Sequence, residues 1–301
     1  MIRIGTCSWT EKTLIQSGEF YPKNVRTAEA RLQFYSGRFD TVEVDSTYYA
    51  IPPKSTAFLW AARSPANFVF HVKVYGALTG RAIDPKTLPP DIRDELPEKD
   101  KAVKQIYVKE PALVRLITDK FMDALYPLMN AGKLGVMLFQ FPPWFTYKVE
   151  NLDVILKHKT MIGRNLMAVE FRHGSWYAQD VREKVFHFLR KNQIIHVVAD
   201  EPQYGTLATV PFVPQTTAEI AYYRLHGRNK DTWLKRGVGT SLRYAYLYSE
   251  EELKELVPHV HTSAKRTKET YVMFNNCHGG YAMRNAEMLK ALIKEGEVAK
   301  T

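Results

Sequence analysis

A short apolar or β-branched run, a loop, a stretch of helical period, then another apolar run: this alternation repeats eight times along the 301-residue chain and limits the fold more than any other feature. The runs cover 2–7, 41–45, 68–74, 134–141, 166–171, 195–199, 221–225 and 270–275. Helices are expected at 27–38, 55–63, 111–131, 151–158, 175–191, 249–261 and 281–295, and only the sixth run lacks a clear one after it. Ser249 before three glutamates reads as a helix start, and Gly132 and Gly163 read as helix stops. Strands that alternate with helices pair in parallel, and eight such strands close on themselves. The expected fold is therefore α/β, a (β/α)8 TIM barrel; an open doubly wound sheet is the alternative. Such a barrel typically takes about 250 residues, so the chain reads as a single domain over 1–301 with room for an insertion.

Three segments fall outside the repeat. They are a charged, proline-containing insertion at 76–110, a polar segment at 201–220 and a basic, aromatic segment at 227–248. They give extended loops after strands 3, 6 and 7, on the face where barrels of this kind build their sites. No run approaches the roughly 18 apolar residues of a membrane span, and the chain opens on a strand-like run rather than a signal sequence, so a cytoplasmic location is expected. Cys7 and Cys277 are too few for a disulfide framework, but they close the first and last strands, so their proximity tests barrel closure.

Strands of a parallel barrel are covered on both faces, so a charge inside one needs a reason. Period two places Glu43 with Asp45, His71 with Lys73 and Glu170 with Arg172 on shared faces. Gln140, Asp200, Arg224, His226, Asn275 and Asn276 also stand near strand ends. Facing the lumen together, these form a dense titratable cluster, which is more often kept for chemistry or binding than for stability. The alternative is an ion-pair network that satisfies itself across the barrel. The segment 224–243 carries Arg224, Arg228, Lys230, Lys235, Arg236 and Arg243 against Asp231, a local balance of +5 in a chain of net charge +10. Residues 275–280, Asn-Asn-Cys-His-Gly-Gly, open the last helix with glycines and backbone amides suited to an anion. Loops after strands 7 and 8 commonly hold phosphate in this fold.

Trp9, Tyr48, Tyr49, Trp144, Phe145, Trp176, Tyr177 and Trp233 lie beyond strand ends, able either to stack on sugars or bases or to plug the rim loops. Phosphate-loop, GxGxxG, GxSxG and HExxH motifs are absent. Glu43, His71, Glu170, Asp200, His226 and His278 have the chemistry for a hard divalent ion. The lumen cations neutralise the same carboxylates without one, so a divalent metal is admitted but not favoured.

The runs GTCSWT, FYP, FDTVEVDSTYYAIP, LGVMLFQFPP, AVEFRHGSW, YYRLHGRN, YLYSEEEL and FNNCHGGYAMRNA resemble the YecE-like family, domain of unknown function 72, from Gly5 to about Leu292. The resemblance implies a TIM barrel but no activity, since the family as a whole is uncharacterised. Its motif positions correspond here to Glu43, Gln140, Glu170, Arg172, His173, Trp176, Arg224, His226, Asn275, Asn276 and His278. Asp45 stands where the family often has Asn, and Leu78-Thr79-Gly80 where many members carry a Thr-His pair.

The leading expectation is a hydrolase acting on a phosphate-containing substrate, small molecule or nucleic acid. Its catalytic set is Glu43, Glu170, Asp200 and His226: a glutamate handles water, alone or through a metal, and His226 protonates the leaving oxygen. Arg224, Arg228 and residues 276–280, His278 among them, hold phosphate, while Lys73 and Arg172 offset its charge. Asp45, His71, Gln140, Trp176, Asn275 and Asn276 complete the substrate contacts. The alternatives are a carbohydrate or sugar-phosphate enzyme, with Glu43 and Glu170 as its carboxylate pair and Trp176 as its sugar platform, and a non-catalytic nucleic-acid binder.

Overall fold

The computed structural model describes residues 1–298. Its eight strands are β1 (Ile2–Thr6), β2 (Thr41–Val44), β3 (Val69–Lys73), β4 (Leu134–Gln140), β5 (Met167–Glu170), β6 (Ile195–Asp200), β7 (Ile220–Leu225) and β8 (Glu269–Phe274). All neighbours pair in parallel, and β8 returns to β1 in continuous register, so the sheet is a closed barrel and the open-sheet alternative falls. The cysteines report the same closure: the Cys277 thiol sits 3.6 Å from the backbone oxygen of Cys7.

The helices are α1 (Lys12–Ser17), α2 (Ala28–Ser36), α3 (Lys54–Ala62), α4 (Pro90–Asp94), α5 (Glu98–Lys101), α6 (Pro111–Asn130), α7 (Val149–Met161), α8 (Arg182–Lys191), α9 (Lys230–Trp233), α10 (Thr240–Arg243), α11 (Glu250–Ala264) and α12 (Tyr281–Val298). The long ones fall where helical period put them. In α6, Ile117, Phe121, Leu125 and Leu128 recur at helical spacing and are buried. Ser249 and Glu252 form a capping box at the start of α11. Gly132 and Gly163 both take positive φ just past helix ends. Five short helices, α1, α4, α5, α9 and α10, were not expected, because pieces of four to six residues are too short to show a period. The helix expected over 175–191 begins only at Arg182. Residues Gly174–Tyr177 instead form a 3-10 turn capped by His173, whose Nδ1 accepts from the Ser175 amide. No helix follows β6 before β7, as the sequence indicated.

Two apolar layers sandwich the sheet. Outside, strand side chains pack beneath the helices; inside, Val136, Leu138, Ala168, Val197, Tyr222 and Tyr271 fill the lumen with their neighbours. The register of β3 on β4 shifts between Phe70 and Val72. There the His71 ring does a carbonyl's work, its Nδ1 accepting the Val136 amide at 2.9 Å. Gly135 allows this approach, since a Cβ at that position would stand 2.6 Å from the same nitrogen. No helix among the described residues is long and apolar enough to cross a membrane.

Candidate functional site

Counting in twos from the lumen residues Ala168, Tyr222, Leu138 and Met273 places Glu170, Arg224, Gln140 and Asn275 on the inner face at the C-terminal mouth. Arg224, fully buried, is the centre. Its Nη2 and Nε donate to Glu43 at 2.7 and 3.1 Å, and its Nη1 donates to Glu170 at 2.5 Å. Tyr222 donates to Glu43 from below at 2.7 Å. Arg172 donates to Glu170 at 3.0 Å and stands 3.4 Å from Glu201. His226 sits 3.1 Å from Glu170 through Nε2 and 2.9 Å from the Asn275 amide through Nδ1.

The electrostatics follow from this crowding. Burial would raise Glu170, but Arg224, His226 and Arg172 outweigh it and hold the carboxyl well below its usual range. Burial pushes Glu43 up against the pull of Arg224. Burial also lowers His226 to about 4 despite Glu170, so its ring is neutral at pH 7. Glu43 and Glu170 are thus engaged by Arg224 rather than aimed at a water, and Trp233 and Tyr244 cover the His226 ring at centroid distances of 6.0 and 5.7 Å.

Several expected contacts lie elsewhere. Asp200 shares its face with His196 and points out of the lumen; there Arg228 forks onto it, at 3.0 Å from both Nε and Nη2, and Tyr248 donates to it at 2.6 Å. Glu201, one residue on, takes the lumen position instead. The signal was the alternation Ile195, Val197, Ala199, Glu201, which excludes Asp200. Asn276 also faces outward, donating to Tyr246 and Asn285. The glycine turn is no open anion cradle, because Thr13 Oγ1 already accepts the Gly279 amide and His278 is held by Ser241. His71 is sealed between Tyr222 and Tyr271, neutral, with its pKa lowered by burial to about 3. Trp176 is only 1% exposed and stacks on Phe171, so it is a plug and not a sugar platform. The residues counted toward a metal therefore do not converge, and the described residues contain no group of three His, Cys, Asp or Glu placed to hold one.

What opens to solvent is a cleft of about 440 Å³ beside this network. Asp45, Lys73, Gln140 and Asn275 line its floor, with Arg81 and Arg243 on its walls. Lys73 Nζ lies 3.6 Å from Asp45 and 4.2 Å above the Tyr48 ring; Arg81 stands over Tyr48 and Tyr49. Asp45 Oδ1 is 3.6 Å from both Lys73 and Arg224 and has no hydrogen-bond partner. Arg81, which the sequence reading did not name, and Arg243, which it counted only within the basic run, pair with no carboxylate among the described residues; Arg243 Nη2 donates to the Lys235 carbonyl at 3.2 Å. Ser8, at the rim, holds φ near +142°, a conformation worth about 1–3 kcal/mol of strain and typical of functional sites.

Glu201 yields a measurable consequence. Burial, only partly offset by Arg172, raises its carboxyl to about 7. A carboxyl raised on folding leaves stability intact below its unfolded value near 4.3 and removes it as pH climbs toward 7. Glu201→Gln is expected to match the parent in urea denaturation at pH 4.5 and to exceed it at pH 8 by up to about 3 kcal/mol. Equal stability at both values would mean that Glu201 ionises normally.

The sequence matches the family described as "Protein of unknown function DUF72" over residues 3–301. The chain belongs to the DUF72 family. This DUF72 chain is 33% identical over 297 residues to the UPF0759 protein YunF of Bacillus subtilis strain 168, covering 97% of this chain and 95% of that protein. A DUF72 family crystal structure from Thermotoga maritima MSB8 superposes with a TM-score of 0.76 at 31% identity, covering 98% of this chain and 99% of its own. One from Enterococcus faecalis V583 gives 0.79 at 29%, covering 98% and 96%. These likenesses fix family and barrel; none of the names carries an activity, so the chemistry of this DUF72 chain rests on its own mouth.

Proposed function

We propose that this DUF72 protein is a hydrolase of a small phosphate-containing substrate bound in the open cleft. The observation that carries the reading is that Lys73, Arg81 and Arg243 line one cleft at the C-terminal mouth around Asp45, whose Oδ1 lacks a hydrogen-bond partner. About 440 Å³ suits a small molecule better than a duplex. Arg224 is buried and Arg228 forks onto Asp200, so two of the six cations of the basic run at 224–243 are already engaged by carboxylates, which weakens the nucleic-acid reading.

In this reading the three cations draw the phosphate in and neutralise charge growing on its oxygens. Asp45 takes over the role expected of Glu43 or Glu170. A water oxygen bonds to phosphorus as the ester P–O bond breaks; Asp45 takes the water's proton and passes it to the departing oxygen. Arg224 acts from behind, fixing Asp45 at 3.6 Å. The two free cysteines fit work in a reducing cytoplasm.

The test is turnover of a panel of phosphate mono- and diesters by the full chain. Asp45→Asn is expected to lower kcat by about 10²–10⁴ with KM little changed, as removal of a general base does. Lys73→Met is expected to raise KM. Turnover indifferent to Asp45→Asn would overturn the mechanism, and phosphoesters bound but never cleaved would leave a binding protein.

A further inference from the structure

The phosphate cleft does not end at its own rim. A second cleft of about 350 Å³ adjoins it, and Ser8, Asp45 and Ser46 line both. The character changes across that ridge. On one side stand Lys73, Arg81 and Arg243; on the other the walls are mainly apolar, Trp9, Leu32, Val44, Leu59 and Trp60, with Thr10 and Thr56 among them. The single cation there, Arg63, is paired with Glu29 at 3.1 Å. Trp9 meets Trp60 edge to face at 5.9 Å, and Trp60 stacks offset on Phe70, so the indoles are braced from behind. Leu59 is 38% exposed on α3 with nothing covering it. A rigid aromatic box of this kind suits a flat apolar group, which gains by leaving water.

From this juxtaposition we infer that the substrate is a phosphoester whose organic half is a flat aromatic group, phosphate on the cationic side and ring against the apolar wall that Trp9, Leu59 and Trp60 form, with the ester linkage crossing the Asp45 ridge. The inference rests on the phosphate reading and adds the half of the substrate which that reading leaves open. The strained Ser8 backbone belongs to the same ridge, where both halves of such a ligand meet it.

The experiment titrates the full chain calorimetrically with inorganic phosphate, methyl phosphate and phenyl phosphate. Phenyl phosphate is expected to bind at least about tenfold tighter than methyl phosphate, the gain from burying one ring. It should also shift indole emission where methyl phosphate does not, and Trp60→Phe should diminish the shift. Ala28, exposed at the start of α2 and lining the second cleft, provides the control: Ala28→Phe fills the space and should bring the affinity ratio of the two esters close to one. Equal affinities in the parent protein, or a preference that survives Ala28→Phe, overturn this inference and leave the phosphate reading standing. Failure of all three ligands to bind overturns both.

Discussion

Replacing Arg224 by Leu is expected to remove about 3–5 kcal/mol of stability at pH 7, since it leaves Glu43 and Glu170 buried without their shared counter-charge. A domain of ordinary stability has only about 5–15 kcal/mol in total, so the effect would show as a large fall in urea midpoint with the slope preserved. The deficit should shrink in acid. In the parent, Glu170 is held below its usual range and contributes stability that is complete above about pH 4.3 and lost as pH falls further. Without Arg224 both carboxyls rise and take up protons at higher pH than in the parent, and a protonated pair no longer suffers the missing cation. Adding Glu43→Gln and Glu170→Gln to Arg224→Leu should recover much of the loss at pH 7. A single substitution costing under about 1 kcal/mol would show that water, not Arg224, compensates these carboxylates.

Trp176→Ala is expected to cost about 3–5 kcal/mol through the cavity it leaves. The ring stacks on Phe171 at 4.1 Å and on Phe145 at 5.5 Å, and its Nε1 donates to the Phe145 carbonyl at 2.7 Å. Trp176→Phe keeps the stack and loses the donor, so it should cost about 1–3 kcal/mol. Denaturation curves of both variants decide between plug and platform: a platform open to a ligand would lose binding and little stability, and a plug the reverse.

The barrel could be read from the sequence because its signals are local. Strand runs end within a residue or so of the observed strands, and the long helices carry period, caps and stops of their own. Membership of the lumen was also legible, since Glu43, Lys73, Glu170, Arg172 and Arg224 alternate correctly. What the sequence could not show is which partner each charge chooses. That is settled by pairs far apart in the chain, such as Arg224 on Glu43, or Arg228 on Asp200 across 28 positions. Asp200 was misplaced for a different reason: it is the last residue of its strand, where a polar side chain reads the same whether it faces in or out, and only the count from Ile195 separates it from Glu201. Arg81 was passed over because it follows a short turn with no period to declare its direction, and Arg243, though counted in the basic run, ends a four-residue helix too short to show which way it points. Their place on the cleft comes from the loops after β3 and β7 folding over the mouth.

The Arg224–Glu43 pair spans 181 positions, and that number is also a waiting time. On a ribosome adding roughly 5–20 residues per second, Glu43 emerges about 10–35 s before the arginine that makes its burial tolerable. Until then the first half of the chain cannot bury its second strand without stranding a charge. β1 has the longer wait, for β8, its neighbour across the closure of the barrel. A partial barrel that ends before β7 therefore has no Arg224 to offset the Glu43 carboxylate, and one that ends before β8 leaves β1 without its second neighbour.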